Sequence, residues 1–114
     1  AAPPENPPRN LTRLAGRSIL TGVTVANLSP AYAQELGAGL PEQGVVVVAI
    51  DAAAPAARFL RPGALIESVG GQPVRTVADV ARLANGGALL VRFALGEQRA
   101  ECGVNNLGGI SCRS

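Results

Sequence analysis

The sequence predicts a small α+β domain in which one main helix packs on a bent sheet or partial barrel. Five runs rich in β-branched and aliphatic residues are separated by glycine and proline turns, which is typical of short strands. One segment, residues 77–85, carries apolar residues at helical spacing. The 114 residues are 47% hydrophobic but only 3% aromatic, so we expect one modest core of Val, Leu, Ile and Ala.

The first half of the chain is predicted to alternate strands with short helices. Valine alternates with Thr and Ala from 23 to 26, which indicates a half-buried strand. Ser29 can cap a helix with Pro30 at its first position, and Gly37 can end that helix. The continuous apolar run 45–50 is typical of a buried central strand.

The second half is predicted to contain the main helix. A short helix that begins at Pro55 is followed by a strand over 64–69 and by a tight turn at Gly70 and Gly71. Thr76 and Asp79 form a capping-box-like start for the main helix. Two further strands, 88–95 and 99–104, complete the predicted order.

Both ends are predicted to lie outside the domain, which we place at residues 17–104. Four prolines in the first eight positions indicate an extended linker over 1–16, so we expect the chain to be a piece of a longer protein. The glycine-rich tail 105–114 is expected to be loose unless Cys112 ties it down. A disulfide between Cys102 and Cys112 would fit an oxidising compartment, but two unpaired thiols fit the sequence equally well.

Several classes of function are excluded by what the sequence lacks. The chain has no histidine, so Ser-His-Asp and Cys-His catalysis and histidine metal sites are not available. Glu97 and Glu101 are interpreted as solvated surface, and no glycine-rich phosphate motif is present. The ten basic residues are scattered arginines, which does not favour nucleic-acid binding, and no run is long enough to span a membrane. We therefore expect a binding module with no catalytic residue, metal or cofactor.

The stretch around Gly22 suggests what such a module binds. A glycine directly before a strand lets consecutive backbone N–H groups face an anion such as a carboxylate. If that strand lies at a sheet edge, a peptide can add beside it by backbone pairing, and a flanking helix then completes a groove.

The run "SPAYAQELG…GVVVVAI…APAARFLRPGALIESVGGQPVRTVADVARL" resembles a bacterial PDZ domain of the Do-like, HtrA-type periplasmic serine proteases over residues 17–104. The resemblance implies a small, partly open β-barrel or sandwich of five to six strands with one main helix and one or two short helices. The proline-rich arm is similar to the linker between the two PDZ domains of such a protease, which implies the second, C-terminal one. Thr21, Ala64 and Gly70 depart from the family pattern.

The resemblance also implies a peptide-binding site. The carboxylate-binding loop of the family falls on residues 20–23, and Arg17 upstream would help to neutralise the carboxylate. The apolar C-terminal residue of a peptide is then expected between the strand and the main helix. The implied peptide-binding residues are Arg17, Leu20, Thr21, Gly22, Val23, Val25, Val80, Leu83 and Ala84.

Three functions follow as expectations. The first is capture of extended or C-terminal segments of unfolded proteins for a tethered serine protease in the periplasm. The alternative is an assembly module that docks onto neighbouring subunits of the protease oligomer, which the polar Thr21 favours because assembly needs no strong carboxylate site. The third is a PDZ domain of another envelope system, such as a secretion component.

Overall fold

The computed structural model describes residues 11–14, 18–36, 44–105 and 109–113. In these residues it contains one antiparallel sheet with the strand order β1-β2-β3-β4-β6-β7-β8, and β5 pairs with β4. The eight strands are β1 (Thr12–Arg13), β2 (Val23–Leu28), β3 (Gly44–Ile50), β4 (Leu65–Val69), β5 (Gln72–Pro73), β6 (Leu90–Leu95), β7 (Gln98–Val104) and β8 (Ile110–Arg113). The helices are α1 (Pro30–Leu36) and α2 (Val77–Asn85), and Pro55–Arg58 forms a 3₁₀ helix.

The predicted α+β class, with one main helix on a sheet, is confirmed, and the predicted internal strands correspond to β2, β3, β4, β6 and β7. The number of strands differs from the expected five to six because three short strands were not foreseen. β1 lies in the segment interpreted as linker, and it pairs with β2, a partner that local composition does not reveal. β8 lies in the tail that was expected to be loose unless Cys112 ties it down, and the disulfide of Cys112 with Cys102 joins it to the neighbouring strand β7.

The predicted starts of both helices are confirmed by their capping hydrogen bonds. The backbone N–H of Tyr32 donates to Ser29 Oγ at 3.2 Å. At α2, the N–H of Asp79 donates to Thr76 Oγ1 at 3.2 Å, and the N–H of Thr76 donates to Asp79 Oδ2 at 3.3 Å. This reciprocal capping box fixes where α2 begins. The predicted helix end at Gly37 lies outside the described residues.

Two apolar clusters form on opposite faces of the sheet, since successive strand side chains point to opposite sides. Val23 and Val25 of β2 belong to the main cluster, which α2 covers. Ala26 and Leu28 belong to a smaller cluster with Tyr32 of α1. The apolar side of α2 faces the main cluster through Val77, Val80, Ala81 and Ala84, as its spacing predicts.

Candidate functional site

The main helix is fastened to β2 near its start, and the segment that follows the helix is fastened to the loop before β2. Near its start, the buried Asn27 of β2 accepts a hydrogen bond of 2.7 Å from the backbone N–H of Val77 through its side-chain oxygen. Beyond its end, the carbonyl oxygen of Ala88 accepts from the N–H of Ile19 at 3.1 Å. The space between β2 and α2 is therefore fixed by contacts between residues far apart in sequence. We call the outer edge of β2, the loop 18–22 and the facing side of α2 the β2–α2 site.

The loop 18–22 uses its own polar groups to close on itself. The N–H of Ser18 donates to Thr21 Oγ1 at 3.1 Å, and the N–H of Leu20 donates to Ser18 Oγ at 3.1 Å. The N–H of Thr21 donates to the carbonyl oxygen of Ser18 at 3.3 Å. Thr21, which departs from the apolar family pattern, thus has a structural role as the acceptor that closes this loop.

The two N–H groups expected to receive a carboxylate are already bonded within the chain. The N–H of Gly22 donates to the carbonyl oxygen of Leu14 at 2.8 Å, and the N–H of Val23 donates to that of Leu20 at 3.1 Å. A peptide carboxylate at this position would have to replace the Leu14 carbonyl. The N–H groups expected to form a carboxylate cradle are therefore occupied by the chain itself in this conformation.

The outer edge of β2 is also partly covered. Thr12 of β1 pairs with Val25, and Arg13 pairs with Thr24, in antiparallel register. The pairing continues through Leu14, whose N–H donates to the carbonyl oxygen of Val23 at 2.8 Å. The expected docking edge thus already carries an added strand over its first half.

An ion pair links the added strand β1 to the residue that follows β3. The guanidinium group of Arg13 donates to the carboxylate of Asp51, with a distance of 3.0 Å from Nε to Oδ2. This hydrogen bond lowers the pKa of Asp51 below its ordinary value. Asp51 directly follows β3, and its backbone N–H donates to the carbonyl oxygen of Gly22 at 2.9 Å. The ion pair therefore anchors β1 beside the loop.

Gly22 is required at its position for two reasons. Its φ of +85° lies in the left-handed region that side chains disfavour. A Cβ added there would lie 2.9 Å from the Cβ of Ala54, which is closer than real Cβ atoms approach. This explains why the loop needs glycine independently of any ligand.

Most of the residues that the sequence assigned to peptide binding lie together in the core. Leu20, Val23, Val25, Val80 and Ala84 are at most 1% exposed, and Leu83 packs against the same cluster. Thr21 is half-buried, and Arg17 lies outside the described residues. Leu14 is also buried, at 3% exposed, and belongs to the main cluster with Leu20, Val23, Val25 and Val80.

Sequence reasoning missed three residues that build the β2–α2 site, namely Leu14, Asn27 and Asp51. Leu14 was assigned to the linker, although the sequence Leu-Thr-Arg-Leu at 11–14 offers apolar residues at both ends. Asn27 interrupts an apolar strand, and a polar residue at such a position is a signal for a buried hydrogen bond. The pairing of Asp51 with Arg13, 38 residues earlier, has no local signal.

A comparison with protein families gives a match between residues 46–92 and the PDZ domain. The likeness to PDZ domains thus covers residues 46–92. The match includes α2 with Val80, Leu83 and Ala84, but it begins at residue 46, after the loop 18–22 and β2. No curated protein and no solved structure matches the chain. The order of β2, the short helix, β3, β4 and α2 on one sheet agrees with a PDZ-like fold.

PDZ domains are generally non-catalytic modules that bind peptides or protein C-termini. In the described part of this chain, no three potential ligands among His, Cys, Asp and Glu group into a metal site. No helix within the described ranges is long and apolar enough to cross a membrane.

Two further cavities lie beside other parts of the described structure. One, of about 510 Å³, lies between the segment 52–58 and the β7–β8 hairpin. Another, of about 380 Å³, is lined by residues of β4 and by Val74 and Arg75. None of the residues assigned to peptide binding lines either cavity.

At the far edge of the sheet, β8 is held to β7 by a disulfide and an ion pair. Cys102 of β7 and Cys112 of β8 are directly opposite each other and form a disulfide. Beside it, Glu101 accepts from Arg113 at 2.7 Å. The part of the tail that forms β8 is thus fastened to β7.

Proposed function

We propose that this chain is a non-catalytic peptide-binding module that captures extended or C-terminal segments of unfolded proteins by strand addition. The observation that carries the proposal is that the outer edge of β2, beside α2, accepts an antiparallel strand in β1. Backbone pairing of this kind supplies affinity for many sequences, and side-chain pockets supply selectivity.

The parent protein that we propose is a Do-like serine endopeptidase of the bacterial periplasm, with this domain as its second PDZ domain. The resemblance described above supports that context. The disulfide between Cys102 and Cys112 supports an oxidising compartment. With no histidine in the chain, the purified domain should not cleave unfolded casein. Cleavage that co-purifies with the domain through successive columns would contradict the binding-module assignment.

One observation favours the second candidate function, docking onto neighbouring subunits of the protease oligomer. The N–H groups of Gly22 and Val23 are both satisfied within the chain, and subunit docking needs no open carboxylate cradle. The two functions differ in what a free peptide does. A captured peptide binds the monomer, whereas an assembly module associates with other folded domains.

A titration with paired peptides tests the proposal. We expect a peptide with an apolar C-terminal residue to bind with a Kd on the order of tens to hundreds of micromolar, or about 5–6 kcal/mol. Its C-terminal amide should bind at least tenfold more weakly, because the amide removes the anionic oxygen. If the free acid and the amide bound with equal affinity, the peptide would bind by strand addition without recognition of its carboxylate. Failure of both at millimolar concentration, with self-association in sedimentation, would favour assembly.

A further inference from the structure

Leu14 makes the contacts that the last residue of a peptide would make if the peptide bound by strand addition. The N–H of Leu14 donates to the carbonyl oxygen of Val23, and its carbonyl oxygen accepts from the N–H of Gly22, both at 2.8 Å. Its side chain is buried in the cluster that contains Val80 of α2. A hydrogen bond to the strand, one to the loop and an apolar side chain in the main cluster therefore meet in one residue.

We propose that residues 11–14 are an internal ligand of the β2–α2 site, and that a partner peptide binds there by displacing them. This inference rests on the proposed peptide-binding function and concerns its regulation and selectivity. A site whose binding-competent state is only partly populated shows an affinity reduced by that fraction. The internal segment thus lowers the apparent affinity of the site for a partner peptide.

The contacts of the internal ligand define the peptide that competes with it best. Leu14 occupies the position of the last residue, so an aliphatic C-terminal residue fits. Arg13 occupies the position before it and pairs with Asp51, so a basic residue fits there. A peptide that ends in Thr-Arg-Leu reproduces both features.

Competition is possible because the two ligands have different advantages. The internal segment is tethered and therefore acts at a high effective concentration. Leu14, however, presents a neutral amide carbonyl to the N–H of Gly22. A true C-terminus presents a carboxylate, and hydrogen bonds to an ionised acceptor are shorter and stronger.

The test weakens the internal ligand by substitutions within residues 11–14 and leaves β2, the loop 18–22 and α2 unaltered. Arg13→Glu replaces the pairing with Asp51 by repulsion at an exposed position. Arg61→Glu, in the exposed turn before β4, is the matched control with the same change of charge. Leu14→Ala is a second variant, which removes the buried side chain. The probe is the peptide acetyl-Leu-Thr-Arg-Leu with a free carboxylate, and its binding is measured by calorimetry.

We expect Arg13→Glu and any folded Leu14→Ala to bind the probe at least tenfold more tightly than the unaltered chain and Arg61→Glu. The same probe with Glu before the last Leu should bind more weakly to the unaltered chain. Bound probe should also accelerate hydrogen exchange of the Leu14 N–H. Equal affinity of Arg13→Glu and Arg61→Glu for the probe would contradict the proposal that residues 11–14 are an internal ligand. So would unchanged hydrogen exchange of the Leu14 N–H when the probe is bound. Either result would leave the proposed peptide binding intact. Absence of binding in every variant would overturn the proposed function and this inference with it.

Discussion

The side-chain oxygen of Asn27 and the backbone N–H of Val77 are joined by a hydrogen bond of 2.7 Å across 50 residues of sequence. Asn27 is buried in β2, and Val77 is the first residue of α2. Helix N-termini leave N–H groups without partners inside the helix, and this bond satisfies one of them. This buried amide therefore holds the start of the main helix against the proposed docking strand.

Replacing this amide should destabilise the domain. Asn27→Ala leaves the Val77 N–H buried without this acceptor, and we expect a loss of about 1–3 kcal/mol in the free energy of unfolding. Urea denaturation measures it. Asn85→Ala, at the exposed end of α2, is the control and should change stability little. Equal unfolding midpoints for the two variants would show that the bond does not hold α2 in place.

Substitution of Gly22 should combine backbone strain with a steric clash. Gly22 and Gly71 have φ values of +85° and +81°, but only Gly22 has a neighbour, the Cβ of Ala54, in the path of an added methyl group. Gly71→Ala should therefore lose about 1–2 kcal/mol through strain alone. Gly22→Ala should lose clearly more in the same thermal or urea unfolding experiment. A loss no greater than that of Gly71→Ala would mean that the loop relaxes around the methyl group.

Stability should fall in acid partly because of Asp51 and Asp79. The Arg13 side chain lowers the pKa of Asp51, and the backbone N–H of Arg75 lowers that of Asp79, both from an ordinary value of 3.8. Because the folded pKa values are depressed, the stabilisation is complete above the unfolded pKa and is lost as the pH falls through the folded values.

This dependence can be measured as the midpoint of thermal unfolding between pH 6 and pH 2. The double variant Asp51→Asn, Asp79→Asn should start lower at pH 6 and fall less steeply below pH 4 than the unaltered chain. Glu97→Gln, in the exposed β6–β7 turn, should follow the unaltered chain. Parallel curves for the double variant and the unaltered chain would assign acid lability to other groups.

The disulfide should stabilise the sheet edge that it closes. Cys102 and Cys112 are ten residues apart, and chain entropy for so short a loop contributes about 2–3 kcal/mol. Cys112→Ser should lose about this amount in urea, whereas Ser111→Ala on the same strand should lose little. We also expect material from the periplasm to contain no thiol that alkylates before reduction. Two alkylated cysteines by mass spectrometry would contradict that expectation.

Much of the fold could be predicted because its signals are local. The alternation at 23–26 predicted β2, Thr76 and Asp79 predicted the start of α2, and the apolar spacing of 77–85 predicted its buried face. Such features depend on backbone geometry over a few residues, so a short stretch of sequence is sufficient to recognise them. The glycine before β2 was singled out as the start of a carboxylate-binding loop, whereas its φ of +85° and its contact with Ala54 became clear only in the folded chain.

The tertiary structure alone decided what lies in the β2–α2 site. The sequence contains Leu14, Gly22 and Val23, but nothing local shows that the first would bond to the other two. Strand pairing and burial depend on which distant surfaces meet, and their free energy is shared among residues far apart in the chain. A proline-rich composition therefore indicated a linker, whereas the folded chain places its last part, residues 12–14, on the strand expected to bind a peptide.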